Sequence, residues 1–285
     1  MMRLTVLVDN HTLIDRYLTG EPALCLYLEC DGKRVLFDLG YGNAFLRNAA
    51  ILGIHPLEAD TVVLSHGHID HTGGLAPLAR RILEHGLENS GEHISSSPRL
   101  VAHPDVFTPR TAMDGRLSVG SVMGRKQAES VFSSMQLSSE PVWVSERLLF
   151  LGEIERRFSY EGHTSIGKRD TAKGEQPDLI PDDTALAYRS EEGLVIVTGC
   201  SHAGICNIIE QARRLTGEER VLDVIGGLHL LNPPQEQLDK TAAYLGSLQL
   251  QALHACHCTD LASTLTLSAS APVAETGCGL VLEYP

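Results

Sequence analysis

Apolar and polar positions alternate along this chain in blocks that predict strands and helices in turn. Leu4 to Val8, Ala23 to Glu29 and Arg34 to Asp38 carry the β-branched and apolar residues of strands, the last two joined by an Asp31-Gly32 turn. Asn43 to Leu52, with Ala44, Leu46 and Ala50 among its small or apolar positions, predicts a helix ending at Gly53. Pro56 to Ala59 connects it to the buried strand Thr61-Val62-Val63-Leu64, and a long helix follows from Leu75 to about Gly86. The Ser-, Gly- and Glu-rich stretch from Glu88 to Pro98 predicts an exposed or partly disordered loop, and Arg99 to His103 a further strand.

Residues 108–140 are the least regular part of the chain, a Gly-, Arg- and Met-containing insertion that predicts a lid, a contact between two copies in a homodimer, or a plain solvated excursion. Strand character returns from Arg147 to Phe158, and Gly162 to Gln176 predicts an exposed loop. The second half repeats the plan of the first. Asp182 to Tyr188 and Leu194 to Thr198 form a hairpin, Gly204 to Leu215 a helix, and Val221 to Ile225 a strand. Pro233 to Leu248 is a helix, Leu253 to Asp260 a strand and loop, and Thr276 to Leu282 the closing strand. No low-complexity tract or linker divides the 285 residues, so one domain over 1–285 is expected.

Chemistry concentrates between the fourth strand and its helix, in Ser65-His66-Gly67-His68-Ile69-Asp70-His71-Thr72-Gly73-Gly74. Three imidazoles and a carboxylate within six residues are what a borderline divalent ion wants, and the end of a strand is where open sheets place their chemistry. The glycines let His66 and His68 face one ion while Asp70 and His71 face a second.

This stretch resembles the His-x-His-x-Asp-His signature of the metallo-β-lactamase superfamily. Thr198-Gly199-Cys200-Ser201-His202-Ala203-Gly204, Gly226-Gly227-Leu228-His229-Leu230 and His257-Cys258-Thr259 resemble one branch of it, that of the archaeal-type dihydropterin ribofuranosyl-aminobenzene phosphate synthases and their uncharacterised bacterial relatives. The resemblance spans roughly residues 1 to 284 and, with the strand and helix alternation, implies an αββα sandwich, two sheets face to face with helices outside. It implies His66, His68 and His202 on one metal and Asp70, His71 and His257 on the other, with Asp38 buttressing the metal loop and His103 pointing towards the site. Two divalent ions are then the expected cofactors, zinc first, with manganese or iron also suited to imidazole and carboxylate.

Most dinuclear relatives carry a bridging Asp between the last two histidine motifs. Here the candidates are Asp223, inside a strand and able to face solvent, and His229. Three residues per metal are already supplied, so His229 is surplus. A His on a Gly-Gly loop can approach the open metal face, which predicts a substrate-facing or catalytic role ahead of metal ligation, with Asp70 as the other catalytic candidate.

Two reactions remain open: metal-dependent hydrolysis of a small ester, phosphoester or lactone, and the transferase chemistry of the pterin-linked branch. A nonenzymatic metal sensor ranks below both. The formal net charge of −13 opposes binding to nucleic acid or to an anionic membrane and favours a small-molecule substrate. A phosphorylated substrate would need a local basic cluster, for which Arg110, Arg116, Arg125 and Lys126 are candidates. No stretch reaches the roughly 18 apolar residues of a membrane span, and the opening Met1 to Asn10 reads as a strand and not a signal peptide, so a cytoplasmic protein is expected. Seven scattered cysteines predict reduced thiols. Cys256 and Cys258 are read as small hydrophobes along a strand, leaving no thiolate in the ligand set.

Overall fold

In chain order the elements of the computed structural model, which describes residues 1–88 and 97–285, are β1 (Met2–Val8), β2 (Cys25–Cys30), β3 (Lys33–Phe37), α1 (Ala44–Leu52), β4 (Thr61–Val63), α2 (Ile69–Thr72), α3 (Leu75–Glu88) and β5 (Arg99–Ala102). There follow β6 (Arg110–Ala112), β7 (Leu117–Ser118), α4 (Arg125–Glu129), β8 (Met135–Leu137), β9 (Val142–Trp143), β10 (Leu148–Phe150), β11 (Lys168–Thr171) and β12 (Gly174–Pro177). The chain closes with β13 (Ala185–Arg189), β14 (Leu194–Thr198), α5 (Ile205–Thr216), β15 (Val221–Gly227), α6 (Gln235–Ser247), β16 (Ala252–Cys256), α7 (Leu261–Ser268) and β17 (Val281–Tyr284).

Two large sheets carry the fold, one of seven strands in the order β17-β1-β2-β3-β4-β5-β8 and one of six in the order β16-β15-β14-β13-β10-β9. Side chains of a strand point alternately to its two faces, and that alternation sorts the core. On β14, Val195 and Val197 join Leu4, Val6, Phe37 and Phe150 between the sheets, whereas Leu194 and Ile196 pack outward against Ile205, Ile208 and Ile209 of α5. The outer face of the first sheet is covered in the same way, with Leu36 and Val62 against Phe45 and Ala49 of α1 and Leu75 and Leu78 of α3. The layers run helix, sheet, sheet, helix, as expected for an αββα sandwich. The repeat of the plan is also visible, since β2-β3 and β13-β14 are antiparallel hairpins whose second strand pairs in parallel with the next, β4 and β15.

The structure corrects several boundaries. Only Leu148–Phe150 of the expected strand over Arg147 to Phe158 is extended in a sheet, and the closing strand begins at Val281 and not near Thr276. The expected loop from Gly162 to Gln176 contains the hairpin β11-β12, which joins β6 and β7 in a third, four-stranded sheet. Its strands are largely polar and exposed, so no buried face imprinted an apolar alternation on them. Helix α7 went unpredicted because LASTLTLS is rich in Ser and Thr, weak helix formers. Its start is fixed by Asp260, whose carboxylate accepts the N–H of Ser263 at 2.7 Å. The 108–140 insertion is no detached excursion either. Its β8 extends the first sheet beside β5, and Ala128 and Phe132 are buried against that sheet's outer face. The loop expected from Glu88 to Pro98 falls mostly on residues outside those described. Among the described residues no helix is long and apolar enough to cross a membrane.

Phe150 lies in the layer between the sheets with no exposure, whereas Trp143 on the neighbouring edge strand is 46% exposed. Phe150→Ala is expected to lower unfolding stability by about 3–5 kcal/mol, and Trp143→Ala by less than about 1 kcal/mol, as read from denaturant midpoints.

Candidate metal centre

Four loops meet at one edge of the sandwich: those after β4, β14, β15 and β16. The first is drawn tight by Gly67, where a side chain would collide with the backbone carbonyl of Val106. His66, His68 and His202 converge there. His66 Nε2 lies 3.0 Å from His68 Nδ1 and 3.2 Å from His202 Nε2, with ring planes 73–85° apart and all three side chains buried. A second group adjoins it through the His66 and His71 rings, 4.3 Å apart. In it, Asp70 Oδ2 is 3.6 Å from His71 Nε2 and 3.4 Å from His257 Nε2, and Cys200 Sγ is 3.2 Å from His71 Nε2. Within each group the candidate ligand atoms lie within 4.8 Å of one another.

Hydrogen bonds from behind set which ring edge faces each group. Asp38 accepts the backbone N–H of Ser65 at 2.8 Å, the Ser65 hydroxyl at 2.7 Å and Nδ1 of His71 at 2.7 Å. Because Ser65 Oγ spends its proton on Asp38, it accepts from Nδ1 of His66 at 2.9 Å, leaving His66 Nε2 a lone pair for the cluster. His257 is held by its backbone N–H on Asp9 Oδ1 at 3.0 Å and by its Nδ1 beside Asn10 Oδ1 at 3.2 Å. Its buried Nε2 has no hydrogen-bond partner among the described residues. Converging imidazole edges with a buried nitrogen left over are poorly satisfied by hydrogen bonds and well satisfied by a divalent cation, so the donors fit the expected metal.

Electrostatics separates the two groups. Burial pulls His66 and His202 well below 6.5 and His68 to about 3, so the first group is uncharged at neutral pH. Burial opposes the charge of His71 too, but the fields of Asp70 and Asp38 and the hydrogen bond to Asp38 raise it to about 9. Asp70 is held below the usual carboxylate range despite burial, by His71 and His257.

The six expected ligands thus come together in the expected two sets, and Asp38 stands behind the loop as expected. His229 lies beside them, its ring 4.3 Å from that of His202 and its buried Nδ1 unpartnered. Burial lowers its pKa and Cys258, then Asp183 and Asp70, more than offset this, so it is raised. A cavity of about 150 Å³ opens next to His202 and His229, lined also by Thr164, Ser201, Asn232 and Gln237.

Other expectations land elsewhere. Asp223 does not approach the ligands, because its carboxylate is buried between His254 Nδ1 at 3.0 Å and the Tyr284 hydroxyl at 2.7 Å. His103 caps the turn after β5, accepting the N–H of Asp105 at 3.1 Å, and its other ring nitrogen is 3.5 Å from Glu153. Arg110 is not part of a surface basic cluster. It is buried, paired with Asp182 at 2.5 Å and Asp178 at 3.4 Å, while Arg116 and Arg125 pair on the surface with Asp114 and Glu129.

Three contributors were missed. Asp182 accepts the N–H of Gly67 at 2.8 Å and Asp183 that of Ala203 at 2.9 Å, so consecutive carboxylates tie the two histidine loops together. Their signal was two acids directly before an apolar strand. Cys200, two residues before His202 and 3.2 Å from His71 Nε2, was counted only among the reduced thiols. The insertion also reaches the site, since Ile69 donates to the Val119 carbonyl at 2.9 Å and His68 bridges Gly120.

The family model of the metallo-beta-lactamase superfamily matches residues 18–215. The chain is 30% identical, over 80% of its length and 76% of the relative's, to 7,8-dihydropterin-6-methyl-4-(beta-D-ribofuranosyl)-aminobenzene-5'-phosphate synthase of Methanocaldococcus jannaschii. It is 27% identical to the uncharacterised protein MJ0448 of the same organism, over 92% of this chain and 93% of that one. Among solved structures, Tm1679, described as a metal-dependent hydrolase of the beta-lactamase superfamily, superposes with a TM-score of 0.82 at 25% identity, covering 99% of both chains.

The charge states carry a measurable consequence. In metal-free protein the folded His71 has a pKa of about 9, above the ordinary 6.5, so its pairing with Asp38 and Asp70 stabilises the fold fully below pH 6.5 and is lost as pH rises through 9. An ion taken up there at neutral pH must displace that proton, whereas the neutral first group gives up none. Calorimetric titration of metal-free protein in buffers of different ionisation enthalpy is expected to show proton release in one binding phase and little in the other. Its affinity should rise with pH until about pH 9. Two phases with equal proton release would contradict the charge assignment.

Proposed function

The chain belongs to the metallo-beta-lactamase superfamily, and from that premise we propose that it is a two-ion, zinc-dependent hydrolase of a small ester, phosphoester or lactone. The observation that carries the proposal is the pair of adjoining candidate ligand groups, His66, His68 and His202 beside Asp70, His71 and His257, with the buried Nδ1 of His229 left without a partner among the described residues. Divalent ions held there would polarise a substrate oxygen and bring a water's pKa towards neutrality.

The remaining work falls to the chain. Asp38, Ser65 and Asn10 fix the orientation of the ligand rings. Asp70, partly exposed where His71 and His257 are more deeply buried, is the member of its group that water can reach and is the candidate to take a proton from it. His229 sits at the cavity mouth with a free ring nitrogen and a raised pKa, suited to donate to a substrate or leaving-group oxygen as it gains charge. The cavity offers Thr164, Ser201, Asn232 and Gln237 as uncharged hydrogen-bonding groups and, among the described residues, no Lys or Arg in its lining. That supports a substrate whose bound part there is neutral and polar, with any phosphate left to the ions.

A second reading, pterin-linked transferase chemistry, is favoured by the 30% identity with the synthase. The two part on a simple experiment. Zinc-loaded protein is expected to hydrolyse members of an ester, phosphodiester and lactone panel. No turnover, together with a pterin retained on purification, would favour the transferase.

His68→Ala and His202→Ala are each expected to lose metal by elemental analysis, and full wild-type content in both would refute the ligand assignment. His229→Gln is expected to keep the metal and lose turnover by about 10²–10⁴-fold. Loss of one metal equivalent would make His229 a ligand instead, and unchanged turnover would leave it without a functional role.

A further inference from the structure

We propose that Arg110 is a positioning residue for the His66, His68 and His202 group, so that the 108–140 insertion sets how tightly the first ion is held. The inference rests on the two-ion reading above and adds to it a residue outside both ligand sets.

The two peptide N–H groups that bracket His68 both lead back to Arg110. On one side Gly67 donates to Asp182 Oδ2 at 2.8 Å, and Asp182 Oδ1 is held by Arg110 Nη2 at 2.5 Å. On the other, Ile69 donates to the Val119 carbonyl at 2.9 Å, and Val119 donates in turn to the Arg110 carbonyl at 3.0 Å. The first residue of β6 thus fixes the backbone on both sides of a candidate ligand, its side chain through Asp182 and its main chain through Val119. The same Nη2 reaches the Asp105 carbonyl at 3.3 Å. Asp105 adjoins Val106, whose own carbonyl leaves no room for a side chain at Gly67. Arg110 therefore joins the turn that presses on Gly67 to the carboxylate that takes its N–H.

Burial makes this connection hard to replace. Arg110 is 1% exposed, Asp178 and Asp182 are fully buried, and Arg110 Nε faces Asp178 at 3.4 Å. Among the described residues no other cation forms an ion pair with either carboxylate. Arg156, whose field also reaches them, donates instead to the carbonyls of Gly162, Leu179 and Ile180. Without Arg110, two buried carboxylates would be left uncompensated, and Asp182 would take up a proton or turn away, in either case loosening its hold on Gly67. A lysine would keep the charge but not the planar fork that serves Asp182, Asp105 and Asp178 together.

Zinc titration of full-length metal-free protein in competition with a chelator tests this without relying on turnover, the phase that His68→Ala abolishes marking the first group. Arg110→Met and Asp182→Ala are each expected to weaken that phase by about 10–100-fold and to leave the other phase unchanged. Because the Arg110 side chain acts through Asp182, the double variant is expected to bind no more weakly than the weaker of the two single ones. Should Arg110→Met fold poorly, Arg110→Lys, which keeps the buried charge, is expected to weaken the same phase with a denaturant midpoint close to wild type. Wild-type affinity in the Arg110 variants, a loss shared equally by both phases, or losses that add in the double variant would overturn the positioning role and leave the two-ion reading standing. If wild type binds a single ion that His68→Ala abolishes, the two-ion reading falls, while weakened binding in the Arg110 variants still supports the positioning role. A single ion indifferent to His68→Ala would overturn both.

Discussion

The buried carboxylate of Asp38 is the constraint on which the centre depends. An isolated charge with no exposure would cost several kcal/mol to bury, and Asp38 stands at the end of β3 with φ of 57°, a conformation few residues other than Gly adopt without strain. Both costs are offset by what it holds: two donors from Ser65, the His71 ring, and its own N–H on the Val63 carbonyl at 2.9 Å. Through Ser65 it turns His66, directly it turns His71, and beneath it Gly199 seats the loop carrying Cys200 and His202. Ligands from both halves of the chain are thus referenced to one oxygen pair.

Much of this was legible because it is local. The apolar run Leu194 to Val197 marks its strand by itself, and the histidines of the first loop announce themselves within six residues. The pairing of His202 with His66 was also within reach, since the second half repeats the hairpin and loop of the first. What the sequence hid is non-local. Arg110 looks like any surface arginine until Asp178 and Asp182, some seventy residues on, enclose it. Asp223 looks like a bridging ligand until the C-terminal Tyr284 claims its oxygen. Cys200 is indistinguishable from a core thiol along the chain, and only the fold brings its Sγ to 3.2 Å from His71 Nε2. The polar hairpin β11-β12 left no periodicity because it buries no face.

The two groups of candidate ligands differ in charge, and this bears on how each would hold an ion. Three neutral imidazoles give an ion no charge compensation, whereas Asp70 and the nearby Asp38 lower the effective charge at the second position. An ion among His66, His68 and His202 would therefore be the stronger Lewis acid, with the larger pull on a substrate oxygen. That group is the one the cavity opens onto, through His202 and His229. Asp70 belongs to the other group, with its carboxylate held in the charged form. The two groups diverge within one loop, where His68 turns to one while Asp70, two residues later, turns to the other.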